Sequence, residues 1–168
     1  MEHISNISGL FIENLNSLYG TEQKQFEILK KLKEAVKSEE INFLIKEEED
    51  IKVNQINRLN EVFGLIGIPP KHKENFAASE IIRHGLYNVK HARNASVSDF
   101  EIINALHSII RYSIANYSTA LTYARQIGEE EIVQLLDVNM EEEKLAIEKL
   151  SSISMEHFHK GIVDPQHN

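Results

Sequence analysis

The chain contains no cysteine. That removes disulfide staples, thiolate metal sites and cysteine nucleophiles together, and it fits a reducing compartment. Proline is nearly as scarce, with three residues at 69, 70 and 165. The segments before Pro69 and between Pro70 and Pro165 are therefore free of the strongest helix breaker. Glycines are few and scattered, so no phosphate-cradling loop is formed. No apolar run approaches the ~18 residues of a membrane span. The N-terminus, MEHISNISGLFIENL, lacks the positive head and long apolar stretch of a signal peptide. Nor is there a basic run: Lys30-Lys31-x-Lys33 reads as a solvated helix face. The formal net charge is −8, and an acidic surface repels phosphate backbones. We therefore expect no nucleic-acid partner, no membrane association and a cytoplasmic location.

What is present is a chain of 168 residues, 42% hydrophobic and 26% charged, the profile of one soluble domain able to bury a continuous core. Its apolar residues recur at spacings of three and four, the helical period. A first helix is expected over about Leu10 to Val36, with an inward line of Phe11, Leu15, Leu18, Glu22, Phe26, Leu29 and Leu32. Ser38 is placed to cap a second helix. That helix reaches about Ile66 through Leu44, Glu48, Ile51, Gln55, Leu59 and Val62, and Gly67 with Pro69-Pro70 ends it. The short connection makes these two helices antiparallel neighbours.

Residues 68–97 read as a long connection carrying a short helix broken near Gly85. Ser96 or Ser98 would cap a third long helix, and Ser98 with Glu101 has capping-box spacing. This helix runs to about Gln126 through Ile103, Leu106, Ile110, Ser113, Tyr117, Ala120 and Ala124, where Gly128 breaks it. The fourth opens with Glu129-Glu130-Glu131 at its positive dipole end and continues through Ile132, Leu136, Asn139, Glu143, Ile147 and Leu150. Two hairpins joined by a long crossover are the connectivity of ferritin-like bundles. The expected fold is all-α: an antiparallel four-helix bundle spanning 1–155, with 156–168 as a flexible tail.

Glu22, Ile51, Ser113 and Glu143 lie near the middle of the four helices. That level is where di-iron carboxylate proteins place one Glu from each of two helices and a Glu-x-x-His pair from each of the others. Here Glu22 and Glu143 interrupt apolar lines, and Glu48 points the same way. At the edge of the apolar stripe Glu22 and Glu143 would reach solvent; if buried, each needs a partner, for which Gln55, Ser113, Tyr117 and Asn139 are the candidates. Ile51, Ser113 and Ile147 cannot be carboxylate ligands, and no Glu-x-x-His occurs on the second or fourth helix. Glu22, Glu48 and Glu143 thus form at most a residual metal site, for a weakly held divalent ion such as Fe or Mn; otherwise no cofactor is expected.

Four segments in order sharpen this picture. Leu18-Tyr19-Gly20-Thr21-Glu22-Gln23-Lys24, QINRLNEVFGLIG (55–67), RYSIANYSTALTYARQIG (111–128) and EEEKLAIEKL (141–150) resemble motifs of the YciE/YciF family of ferritin-like stress proteins. The resemblance covers about residues 8–153. It implies the ferritin-like fold, association with stress responses, no assigned reaction and a homodimer. The family carries a Glu where this chain has Ile51, His-Tyr-Glu where it has Arg111-Tyr112-Ser113, and an Asp where it has Ile147; Glu22 and Glu143 are kept.

The remaining histidines and tyrosines carry no comparable pattern. His157, His159 and His167 lie in the expected tail. His84 and His91 read as surface residues of the crossover, and His107 as exposed. Tyr87, Tyr112, Tyr117 and Tyr123 read as packing residues whose hydroxyls find acceptors. No nucleophile triad has a supporting context. We expect a non-catalytic protein acting through homodimer or partner contacts; the alternative is a divergent di-iron or di-manganese oxidase or ferroxidase.

Overall fold

Asn6, Ser38, Asn75 and Asn94 each stand in extended backbone just before a helix and accept a hydrogen bond from an N–H of its first turn. The partners are Gly9, Ile41, Ala78 and Val97, at 2.8, 3.4, 3.1 and 2.9 Å. Each cap satisfies one of the free donors at a helix start. The helices that follow are α1 (Ile7–Ala35), α2 (Glu39–Leu65), α3 (Phe76–His91) and α4 (Ala95–Ile127); α5 (Glu130–Val163) completes the set. The computed structural model describes residues 6–71 and 74–163, the side chains of 156–163 excepted. Among them there is no β-strand.

Ser38 caps α2 as its sequence position indicates. The cap of α4 differs from expectation: Asn94 provides it, and Ser96 and Ser98 fall inside the first turn. An Asn side-chain oxygen reaches the N–H three residues on as well as a serine does, and here it comes first in the chain. Gly85 does not break α3. A Cβ there would lie 2.5 Å from the Ala105 Cβ, so this glycine sets how closely α3 approaches α4. Gly128 does end α4, in the left-handed region at φ 86°, where glycine carries no steric penalty. The last helix runs to Val163, past the expected end near Ser154; residues 164–168 of the expected tail lie outside the described residues.

The core divides into two apolar clusters. One gathers Ile28, Leu29 and Leu32 from α1, Ile41, Leu44 and Ile45 from α2, Ala78 and Ile82 from α3, Ile102, Leu106 and Ile109 from α4, and Ala146 and Leu150 from α5. The other gathers Phe11, Leu15 and Leu18, then Leu59, Val62 and Phe63, then Tyr117, Leu121 and Ala124, then Ile132 and Leu136. Along the chain, α1 and α5 therefore pass from the second cluster to the first, and α2 and α4 pass the other way. The four long helices form a closed ring of neighbours: α1 touches α2 and α4, and α5 touches α4 and α2. The shorter α3 lies on α4 and α1.

Single polar side chains tie the connections down. Asp99 of α4 accepts the backbone N–H groups of Lys37 and Ser38 at 3.0 and 3.1 Å, fixing the α1–α2 turn. The Asn16 side chain accepts from the Lys71 N–H at 2.7 Å. Asn75 donates to Ser17 and Thr21 of α1 and accepts from the Tyr112 hydroxyl of α4 at 3.0 Å.

Candidate functional site

Between the two clusters lies a layer of buried polar side chains: Glu22 and Gln25 on α1, Glu48, Lys52 and Gln55 on α2, Ser113 on α4, and Asn139 and Glu143 on α5. Its centre is a lysine. The inward positions of α2 are Glu48, Lys52, Gln55 and Leu59, a spacing of four, three and four that fits one helix face. Ile51, which the sequence places at this level, is only half-buried at the edge. Ile51 and Lys52 both satisfy the helical period, and choosing the isoleucine follows the rule that lysine is almost never fully buried unless paired. Here it is paired: Lys52 is 1% exposed, with Glu22 at 0% and Glu143 at 1%.

The Lys52 ammonium donates to Glu22 Oε2 at 2.8 Å, to Gln55 Oε1 at 2.9 Å and to Glu143 Oε1. Its three N–H groups thus meet three oxygens on three helices, α1, α2 and α5. Burial works against the lysine charge, but Glu143 and Glu22 outweigh it and hold Lys52 above the ordinary lysine range. The carboxylates outnumber the ammonium. Burial pushes Glu143 up to about 8, against the pull of Lys52 and with repulsion from Glu22. Burial also raises Glu48, one turn before Lys52. Burial thus works against a full set of charged carboxylates around one ammonium.

The rest of the layer is neutral and well bonded. Gln25 donates to Ser113 Oγ at 2.6 Å, joining α1 to α4. Asn139 donates to the Tyr117 hydroxyl at 3.1 Å and to the Gln55 carbonyl at 3.2 Å, while the Gln55 amide reaches the Asn139 carbonyl at 3.4 Å. Burial lifts the Tyr117 phenol well above its usual range, aided by Glu22 and Glu143. At the rim, Arg58 forks onto Glu142 at 2.8 and 2.7 Å and bonds Asn139 Oδ1 at 2.8 Å.

The three acids singled out in the sequence, Glu22, Glu48 and Glu143, all converge on this layer. Ser113 joins it through Gln25, whereas Ile147 is half-buried against the first cluster. Lys52 and Gln25 are the members that sequence reasoning missed; their signal was the i, i+3, i+4 spacing from Glu48 and Glu22. The donor set does not fit a di-metal centre. An ammonium already lies between the two carboxylates that would have to bridge or flank the ions, and two like-charged cations would be driven together. Among the described residues, no group of three or more His, Cys, Asp or Glu is arranged to hold a metal ion.

Other residues fall outside the layer. His84 and His91 are exposed on α3, with His91 stacked on Tyr87. His107 is half-buried rather than exposed, its Nδ1 has no hydrogen-bond partner, and burial lowers its pKa. The side chains of His157 and His159, and His167 entirely, lie outside the described residues. No helix of the described residues is long and apolar enough to cross a membrane.

The model of a domain of unknown function, DUF892, matches residues 6–162. The chain belongs to that family. Within DUF892 it is YciF-like: it is 25% identical over 159 residues to Protein YciF of Escherichia coli K12, covering 94% of this chain and 96% of that one. The crystal structure of that E. coli stress protein superposes with a TM-score of 0.89, over 94% of this chain and 99% of YciF. YcfI of Rhodopseudomonas palustris superposes at 0.87 with 26% identity, over 89% and 96% of the two chains. A ferritin-like, diiron-carboxylate protein of Bacillus anthracis matches at 0.70, over 90% and 99%, with 16% identity. At that identity the likeness concerns the fold alone, and it makes this DUF892 member a ferritin-like, all-helical protein.

Proposed function

We propose that this protein is an antiparallel four-helix bundle of the ferritin type, with a crossover carrying α3, that works without a resident metal. It acts through contacts, as a homodimer or with a protein partner, in a stress-associated role like that named for YciF. The cytoplasm is the expected compartment. One observation carries the metal-free part: the Lys52 ammonium between Glu22 and Glu143. A buried cation paired with two carboxylates does the neutralising that a metal would do, and it has no exchangeable coordination position for oxygen or substrate. The alternative, a divergent di-metal oxidase, would require Lys52 to leave the core and two ions to enter. The order in which the long helices traverse the two clusters supports the bundle reading. Phe43, Phe76 and Leu145 are exposed apolar side chains that suit a contact role.

The test is direct. Untagged protein from cells grown with iron and manganese should carry well under one ion per chain, and it should oxidise Fe(II) no faster than its Glu22→Ala variant. Two tightly held ions per chain would overturn the reading. Light scattering on a sizing column should give twice the chain mass for the homodimer; a monomer at high concentration would leave only the partner form.

A further inference from the structure

Helix α3 buries one face, through Ala78, Ile82 and Gly85, and leaves the other bare. On the bare side Phe76, Glu80, Arg83 and Tyr87 follow at spacings of four, three and four, which sets them in one line along the helix. Phe76 is 74% exposed and Tyr87 58%. The Arg83 and Glu80 side chains between them are 71% and 62% exposed. Two aromatic side chains standing in water on one short helix, with an arginine between them, have the composition of an interface.

The order along the line is aromatic, acid, base, aromatic. Read from the other end it is aromatic, base, acid, aromatic. A symmetric dimer needs a patch that complements itself, so that residue i meets j and j meets i. We propose that this line of α3 docks antiparallel on the same line of a second copy. The two-fold axis then passes at the level of Ile81 and Ile82, with each Phe76 opposite the other copy's Tyr87 and each Glu80 opposite the other copy's Arg83. This supplies the surface for the homodimer proposed above and rests on that reading. A line of one sign would fit an anionic or a cationic partner; balanced charges fit a surface of reversed order, which α3 itself carries.

The side chains are ordered before any partner arrives. Arg83 Nε donates to both Glu80 oxygens, at 2.9 and 3.1 Å. The Tyr87 ring stacks on His91 with centroids 4.1 Å apart. Phe76 follows Asn75, whose side chain is bonded to α1 and α4. Little rotamer freedom is left to lose on docking. A helix of 16 residues is about 24 Å long, and two of them side by side bury less than a standard interface. The dimer is therefore of micromolar strength, and its charges set register more than affinity.

Sedimentation of the full chain across the micromolar range tests the surface, with circular dichroism to confirm that each variant is folded. The wild type should pass from monomer to dimer with concentration. Glu80→Arg and Arg83→Glu each oppose like charges and should weaken the dimer about tenfold or more. Mixing these two variants should restore a 1:1 heterodimer, and Glu80→Arg/Arg83→Glu in one chain should dimerise again. Lys144→Glu, an exposed change on α5, should leave the dimer intact. A wild-type dimer that survives both single variants overturns this interface and leaves the homodimer reading standing. Single variants that stay monomeric when mixed overturn the antiparallel pairing. A wild type that is monomeric throughout defeats the homodimer reading and this interface with it.

Discussion

The apolar clusters and the polar layer between them are buried to the same degree and held together by different physics. In the clusters, Leu15, Leu59, Ile102 and Leu136 gain from leaving water, and no individual contact is directional. In the layer, Glu22, Lys52, Gln55 and Glu143 gain little from burial, and their bonding depends on three helices standing at matching heights. A cluster tolerates small shifts by repacking; a buried ion network does not, because a lost partner leaves an uncompensated charge. Burial alone is thus a poor guide to what a position contributes.

The sharpest way to break this contrast is to remove one charge and then all of them. Lys52→Ala is expected to lose about 3–5 kcal/mol in urea unfolding, the usual consequence of stranding a buried partner. Replacing the network together, as Glu22→Leu/Lys52→Met/Glu143→Leu, should return stability near the wild type. A triple variant weaker than Lys52→Ala would show that the ions are net stabilising. In the second cluster, Leu136→Ala should lose about 3 kcal/mol through lost transfer energy and a cavity, and no partner substitution short of refilling the volume should recover it.

A change of pH tests the layer without mutation. Glu143 has a raised folded-state value of about 8, and Glu48 moves the same way. A raised carboxyl means the folded state binds protons that the unfolded state has released, so its contribution is full below the ordinary carboxylate range and is lost as pH rises towards 8. Lys52 is raised too, so its contribution persists to higher pH and does not reverse the trend. The denaturation midpoint should therefore be higher at pH 6 than at pH 9, with Glu143→Gln flattening the difference. A midpoint that rises with pH would contradict the assignment. The smallest effect is expected at Gly85→Ala, about 1–2 kcal/mol from crowding against Ala105; a neutral outcome would mean that α3 can shift away from α4.

Much of the fold was legible in the residues. The three-and-four spacing, the Ser38 cap, Gly128 and the prolines at 69 and 70 delimit helices to within a few positions of those observed. Gly85 was misread because a glycine inside a helical pattern signals either a break or a close approach, and only the neighbour, Ala105, tells which. Of the site, the acids were legible because a carboxylate in an apolar line is anomalous. Lys52 was not, since a lysine beside an isoleucine looks like a solvated position until the helix is rotated by the packing of its neighbours. Gln25 was hidden the same way, one turn beyond Glu22.

The layer also bears on how the chain finds its shape. Glu22, Gln25, Lys52 and Gln55 belong to the α1–α2 hairpin, while Ser113, Asn139 and Glu143 belong to the α4–α5 hairpin. Each hairpin can collapse early from local contacts, yet neither can complete the ammonium's shell alone. Sliding one hairpin past the other by a single turn, about 5.4 Å, would carry Glu143 away from Lys52 and bring an apolar cluster against a bare charge. The polar layer then works as an alignment mark that penalises every docking but one. Its erasure in the triple variant is expected to show as additional slow refolding phases, even where equilibrium stability is kept.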